Sequence, residues 1–370
     1  MHAAANETDS VIEARRVLNL CNICGYCNGF CDLFDAAREC PTLSSADLER
    51  LAHLCHACRN CLEACQYAPP HAFNINVPRT LERLRDHSYA TRVWPPALAS
   101  LLRTPQRWLL GILTAIILCS LLGIWLIPGA SLLTSAQMPG DFYQIVPFPI
   151  MAGLAGLSLG WALLAISISL SRYWRAISHQ APAGPLTWSQ LTATLRGLLA
   201  DVVKLRNLQG GGIGCTDSHS RLAPARRWLH QLLVLGLLSC LAATLAAAFW
   251  HHVLEQLAPY PLSSPPVVLG LLGGLLMLSA SLGLLWIKRH TNPLALTPEG
   301  RAADQVLIAL LLIVVLTGLA LLLWRATPAM GLLLLVHLGS VYGFFVLLPA
   351  SKLVHAGYRL LTLLRLRLDR

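Results

Sequence analysis

The sequence predicts a mainly α-helical membrane protein in two parts, a water-soluble N-terminal domain over residues 1–107 and a six-helix transmembrane bundle over residues 108–370. Three observations carry this prediction. Of the 370 residues, 55% are hydrophobic and only 12% are charged, against about 25% charged in a soluble globular domain. Beyond residue 107 lie uncharged apolar runs of about 20 residues, the length that crosses a ~30 Å hydrocarbon core at 1.5 Å per residue. Residues 1–107 hold 11 of the 18 acidic residues and 11 of the 28 Lys and Arg, so this stretch reads as soluble. An ordinary cytosolic enzyme, a disordered chain and a collagen-like chain are excluded. The N-terminus, MHAAANETDSVIEARR, has no apolar core segment, so no cleaved secretory signal is expected.

In the N-terminal part, nine of the 12 cysteines fall between Cys21 and Cys65. Cys21-x2-Cys24-x2-Cys27-x3-Cys31 is followed by Cys55-x2-Cys58-x2-Cys61-x3-Cys65, each member of the second set 34 residues after its counterpart. The C-x2-C-x2-C-x3-C run is the bacterial ferredoxin pattern. A tight loop with a cysteine at every third position sets three sulfurs on three corners of an Fe4S4 cube, and the fourth corner is reached from a distance. In two-cluster ferredoxins the fourth cysteine serves the other cluster. Applied here, cluster one takes Cys21, Cys24, Cys27 and Cys65, and cluster two takes Cys55, Cys58, Cys61 and Cys31. Neither Cys31 nor Cys65 precedes a proline whereas Cys40 does, so Cys40 stands as a substitute for Cys31. Zinc sites use C-x2-C pairs, and disulfides are disfavoured on the cytoplasmic side. The expectation is therefore an α-helical, ferredoxin-like domain with two [4Fe–4S] clusters.

Helices are expected to frame these loops. One covers Glu13–Asn19. A second is capped by Ser44, with Asp47 placed for a capping box and Leu48 and Leu51 on its apolar face, and delivers Cys55. A third opens at Pro78 and leads toward the membrane. Cys119 and Cys240 lie within apolar runs and read as small buried hydrophobes; Cys215 is likewise remote from the motif.

The six apolar runs are 108–127, 146–171, 229–250, 266–287, 305–324 and 329–349, none with Asp, Glu, Lys or Arg. With a cytoplasmic N-terminal domain, the outer loops hold only Arg325, and the other 27 basic residues lie inside. The net charge of +10 thus reports topology, not a nucleic-acid surface. Trp108, Trp125, Trp174, Trp228, Trp250, Trp286 and Trp324 mark span ends as an interfacial belt. In the 172–228 connection, Leu191, Leu195, Leu198 and Val202 recur at helical spacing, predicting an amphipathic helix on the inner membrane face or against the soluble domain. The GGGIGC stretch at 210–215 follows no strand and reads as a turn.

Four histidines in this part suit axial ligation of haem iron. On one continuous final helix, His337 and His355 would face the same side, ~27 Å apart. His230 and His252 sit at the inner and outer ends of the third span, ~33 Å apart and ~40° divergent, with His251 less well placed. Antiparallel spans bring His230 level with His355 and His252 level with His337, the arrangement of two bis-histidine b-haems. An interfacial role is the plainer alternative for His230 and His252, and His219 and His290 are possible substitutes.

The stretches CNICGYCNGFC, LAHLCHACRNCLEACQYAPPHAFNINVP, ARRWLH and HLG…LPASKLVHAGYR, spread from about residue 18 onward, resemble the tricarballylate-utilisation protein B family, also described as CitB-type. The resemblance implies two [4Fe–4S] clusters, b-type haem and a place in the cell inner (cytoplasmic) membrane with both termini cytoplasmic. It also implies a partner, an FAD-dependent dehydrogenase that oxidises tricarballylate to cis-aconitate and whose reduced flavin this subunit reoxidises. A relative fused as one chain acts in cobalamin ring contraction, so the electron-transfer partner of a cobalamin-pathway flavoprotein oxygenase is an alternative. The chain shows no Rossmann fingerprint and no acid–base set of its own. It reads as the electron-transfer subunit of an oxidoreductase complex, passing electrons to the membrane quinone pool. A haem-free iron–sulfur anchor and a redox-sensing transporter are the remaining readings.

Overall fold

The computed structural model describes residues 8–104, 107–126, 138, 140–178, 187–204, 222–290 and 293–369, and among these there are helices and turns but no strand. The GGGIGC stretch, Cys215, His219 and the side chain of Cys119 lie outside the described residues.

The N-terminal domain consists of α1 (Asp9–Cys24), α2 (Asp32–Arg38), α3 (Ser45–Leu54), the single turn α4 (Asn60–Glu63) and α5 (Val77–Arg92). Val11, Ala14 and Leu18 recur at three- and four-residue spacing, so α1 turns one apolar stripe inward. That stripe joins Leu33 and Phe34 of α2, Leu48 and Leu51 of α3, and Leu81 and Leu84 of α5 in one buried core. The helix expected over Glu13–Asn19 is longer than predicted and carries Cys21 and Cys24 on its last turn. It stops at Gly25, whose φ of 66° suits a residue without a Cβ and whose N–H closes on the Cys21 carbonyl. The Ser44–Asp47 capping box is present, with Asp47 N–H donating to Ser44 Oγ and Ser44 N–H to Asp47 Oδ2, both at 3.2 Å. At α5, Asn76 Oδ1 caps the Arg79 N–H and Pro78 occupies the first turn.

A short α6 (Ala99–Arg103) leads into α7 (Arg107–Leu126), and then follow α8 (Asp141–Ile145), α9 (Phe148–Ser178), α10 (Trp188–Lys204), α11 (Leu222–His252), α12 (Pro265–Arg289), α13 (Pro298–Trp324), α14 (Met330–Leu347) and α15 (His355–Asp369). Among the described residues, five segments are long and apolar enough to cross a membrane: Phe148–Ser178, Ala225–His252, Pro265–Arg289, Pro298–Trp324 and Met330–Ala350. The first expected run coincides with the 20 residues of α7. Small residues let the helices approach closely, as expected without water to drive association. At Gly273 of α12, a Cβ would stand 2.9 Å from the Gly236 carbonyl of α11.

The last span is not one continuous helix. α14 ends at Leu347, a 3-10 turn covers Leu348–Ala350, and Ser351 is extended at ψ 158°. Pro349 removes a backbone donor there, and the Ser351 hydroxyl caps the Leu353 N–H at 3.1 Å. His337 and His355 therefore sit on separate helices, and their expected alignment along one rod does not hold.

The amphipathic helix exists as α10, but its stripe divides. Leu198 is buried with Leu363 and Leu366 of α15, whereas Leu195 and Val202 are 49% and 43% exposed. Asp201 pairs with Arg367 of α15.

Glu82 of α5 ties the soluble domain to the membrane helices. Its Oε2 accepts from the Thr297 N–H at 2.7 Å, and Lys352 Nζ reaches Glu82 at 3.3 Å and Asp304 at 3.1 Å. Gly300 borders the Glu82 carboxylate so closely that a Cβ would overlap it. Gly300→Ala is expected to displace that carboxylate and destabilise the protein by about 1–3 kcal/mol, read as a lowered unfolding midpoint in detergent. An unchanged midpoint would show that this contact does not hold the two parts together.

Candidate metal centre

Two loops present the repeated cysteines. The first runs from the last turn of α1 through Gly25 and Gly29, at φ 66° and 80°, with Phe30 N–H bonded to the Cys27 carbonyl at 3.0 Å. It ends at Cys31, the N-cap of α2. The second leaves α3 at Cys55 and passes through Ala57 and Arg59, both left-handed at φ 49° and 75°. Such a conformation costs a residue with a Cβ roughly 1–3 kcal/mol and persists where the surroundings impose it. Here it turns the Ala57 N–H toward Cys55 Sγ at 3.4 Å. Cys61 lies in α4, and Cys65 follows that helix.

Mutual electrostatics sort the thiols into two sets. Burial, then the nearby Cys27, Cys65 and Cys24, push the Cys21 thiol up to about 12. Burial, then Cys55 and Cys58, push Cys31 up to about 12. Cys61 is held well above its ordinary value by burial and then by Cys55, Cys58, Cys31 and Cys27. Cys21, Cys24, Cys27 and Cys65 thus form one neighbourhood, and Cys31, Cys55, Cys58 and Cys61 a second, with Cys27 and Cys61 where they meet. Cys40 is buried elsewhere, 3.4 Å from Arg50 Nη2, and its neighbours are Asp47 and Arg50 rather than the repeated cysteines. Among the described residues, no three His, Cys, Asp or Glu side chains converge as closely as one metal ion requires. The donor sets are soft sulfurs spread around a larger volume. Held that high, the Cys21 and Cys31 thiols stay protonated until a cationic metal deprotonates them. The sets therefore fit a polynuclear iron–sulfur group.

Among the histidines, the structure brings together His230 of α11 and His355 of α15, whose ring centres lie 6.1 Å apart. Two imidazoles on opposite sides of one metal, with bonds of about 2 Å, span about 6 Å between ring centres. His355 Nδ1 donates to the Lys352 carbonyl at 2.6 Å, the kind of bond that orients a ligating histidine. Burial and then Arg359 push His355 down to about 4, so its ring is neutral and fit to ligate. His337 sets Nδ1 3.1 Å from Thr317 Oγ1 and rests against Gly318, where a Cβ would meet the ring at 2.9 Å. His252 is exposed at the far end of α11, in ring contact with Phe148 and His251 rather than with His337. His251 stacks on Phe148 at 3.6 Å, and His290 bonds the Trp286 carbonyl at 2.8 Å.

Sequence reasoning missed the arginines that join these two regions. Arg85 donates to the carbonyls of Ala52 and Cys55, Arg226 to those of His56 and Ala57, and Arg359 to those of His53 and Cys55. Arg226 precedes His230 by four residues and Arg359 follows His355 by four, a spacing that shares one helix face. That spacing was the available signal. His53 lies beneath the same seam, its ring 4.9–5.2 Å from those of Tyr89, Tyr173 and Tyr358.

Near Lys352, burial pushes the Asp86 carboxyl up to about 6 against the opposing pull of that ammonium. A folded-state value above the unfolded one favours the protonated fold, so this contribution is complete below about pH 4 and is lost as pH rises through 6. Asp86→Asn is expected to be more stable than the parent by an amount that grows to about 1–3 kcal/mol between pH 4 and 7. Unfolding midpoints measured across that range would refute this if the difference stayed constant.

Comparison with known proteins places residues 14–91 in the profile of the citrate utilization protein B Fer4-like domain and residues 101–370 in that of citrate utilization protein B. The chain is 36% identical over 367 residues to citrate utilization protein B of Escherichia coli, covering 98% of this chain and 93% of that one. No solved structure matches.

Proposed function

The chain belongs to the citrate utilization protein B family, and on that premise we propose that it is the membrane electron-transfer subunit of an oxidoreductase complex. One observation carries this reading: two four-cysteine neighbourhoods, the second of them bonded through its loop carbonyls by Arg226 and Arg359, each four residues from a histidine of the facing pair. Cys21, Cys24, Cys27 and Cys65 would hold one [4Fe–4S] cluster, and Cys31, Cys55, Cys58 and Cys61 the other. His230 and His355 would ligate a b-type haem near the inner face; His337 and His252 remain the candidates for a second. When bound, these groups supply one-electron steps between a two-electron flavin and a two-electron quinone.

The chain's own residues hold and insulate that path. Cys55 is buried, and Cys61 and His355 are half-buried. Cys24, by contrast, is exposed and flanked by Ile23 and Tyr26, 83% and 61% exposed. This face is where a partner flavoprotein would dock. The partner that fits the reading is an FAD-dependent dehydrogenase of a tricarboxylic acid, tricarballylate being the substrate implied by the motifs. The acceptor is membrane quinone. α7 would serve as the sixth span, and the scarcity of basic residues in the expected outer loops supports cytoplasmic termini in the inner membrane. The exposed Leu195, Leu199, Val202 and Val203 of α10 would rest in the lipid headgroup boundary.

Anaerobic purification of the full chain, with iron analysis and a reduced-minus-oxidised visible spectrum, tests this reading. Sharp b-type bands are expected, and their absence from an iron-replete protein would leave the haem-free anchor. Cys58→Ser should remove about half of the cluster iron, while Cys40→Ser should leave it intact. His355→Ala and His230→Ala should each remove the haem held by this pair, seen as lost or reduced b-type bands; full retention in both would rule out this axial pair.

A further inference from the structure

Resting on that reading, we infer that Arg226 and Arg359 are positioning residues that raise the reduction potential of the group held by Cys31, Cys55, Cys58 and Cys61 above that of its neighbour, making it the exit toward the histidine pair. The second cysteine loop leaves the C-terminal end of α3, where the last carbonyls of a helix have no helical partner and carry the negative end of its dipole. Two guanidinium groups meet that end, and a third meets the loop just beyond it. Arg359 Nε donates to the His53 carbonyl at 3.2 Å, Arg226 to those of His56 and Ala57 at 3.0 and 2.8 Å, and Arg85 to that of Ala52 at 2.9 Å. The Cys55 carbonyl receives both Arg85 and Arg359.

The first loop has the opposite setting. Its Gly29 N–H donates to the carboxylate of Asp35 at 3.2 Å, and Cys24 stands in solvent. Potentials of iron–sulfur groups follow local charge, hydrogen bonding and exposure. Uptake of one electron adds one negative charge, with no bond made or broken and no proton moved. Fixed positive charge beside the second loop stabilises that added charge, whereas a carboxylate beside the first opposes it. The electron comes from the reduced flavin of the partner and passes on toward His230 and His355.

The same two arginines fix distance as well as charge. Each lies one turn from a histidine of the facing pair, Arg226 on α11 and Arg359 on α15. The bonds from Arg226 and Arg359 to the loop carbonyls tie the helices that carry His230 and His355 to the second cysteine loop.

The test uses the full chain in detergent, with Arg359→Gln and, on the other helix, Arg226→Gln so that misfolding of one leaves the other. Potentiometric titration followed by EPR should show one cluster signal lowered by at least about 59 mV, a tenfold change in its one-electron equilibrium constant. The other signal and the haem bands should be unchanged. The shifted signal should be the one lost in Cys58→Ser and retained in Cys24→Ser. Unshifted signals in iron-replete variants, equal shifts of both, or a shift in the signal lost in Cys24→Ser would overturn this inference alone. A parent protein without iron would overturn the reading beneath it.

Discussion

The junction of the two domains depends on one obligation of backbone chemistry. The final carbonyls of α3 need donors from outside the helix, and this chain supplies them from α5 and α15 in the guanidinium groups of Arg85 and Arg359, while Arg226 of α11 holds the His56 and Ala57 carbonyls of the loop that follows. Charge-assisted donors are the stronger kind, so a geometric need of one short helix becomes a bond between soluble and membrane domains. Glu82 does the same from the other direction, accepting from Thr297 and Lys352. The cysteine loops and the histidine pair take their relative positions from these contacts.

That arrangement gives the two cysteine sets different surroundings within one small domain. The set containing Cys24 opens to solvent beside exposed apolar side chains, while the set containing Cys61 is enclosed against the membrane helices. A pair of similar one-electron carriers gains direction from such a difference. One end is accessible to a large partner, and the other is reserved for an internal acceptor. On the proposed reading, that difference would give electron flow through the chain its direction.

Much of this was legible in the sequence because its signals are local. The 34-residue repeat of cysteines, the capping box at Ser44 and the apolar runs each depend on residues close together in the chain. The family resemblance, read from the cysteine and histidine stretches, agrees with the profiles that span most of the chain. What failed was an argument extended across too many residues. The alignment of His337 with His355 assumed an unbroken helix over 18 positions, and Pro349 with Ser351 interrupts it. Likewise the apolar stripe of α10 divides because Leu198 meets α15, a neighbour no periodicity identifies. The arginines escaped notice for a related reason: their partners are carbonyls, which carry no residue identity. Only the four-residue offset from His230 and His355 marked them.

The contact between Arg359 and Cys55 joins positions 304 residues apart in the chain. At synthesis rates of about 5–20 residues per second, roughly 15–60 s separate their appearance from the ribosome. Throughout that interval the N-terminal helices lack the donors that α11 and α15 later bring, and also Leu198, Leu363 and Leu366, which complete their hydrophobic core. The second cysteine loop therefore acquires its full set of carbonyl partners only once nearly the whole chain has been made.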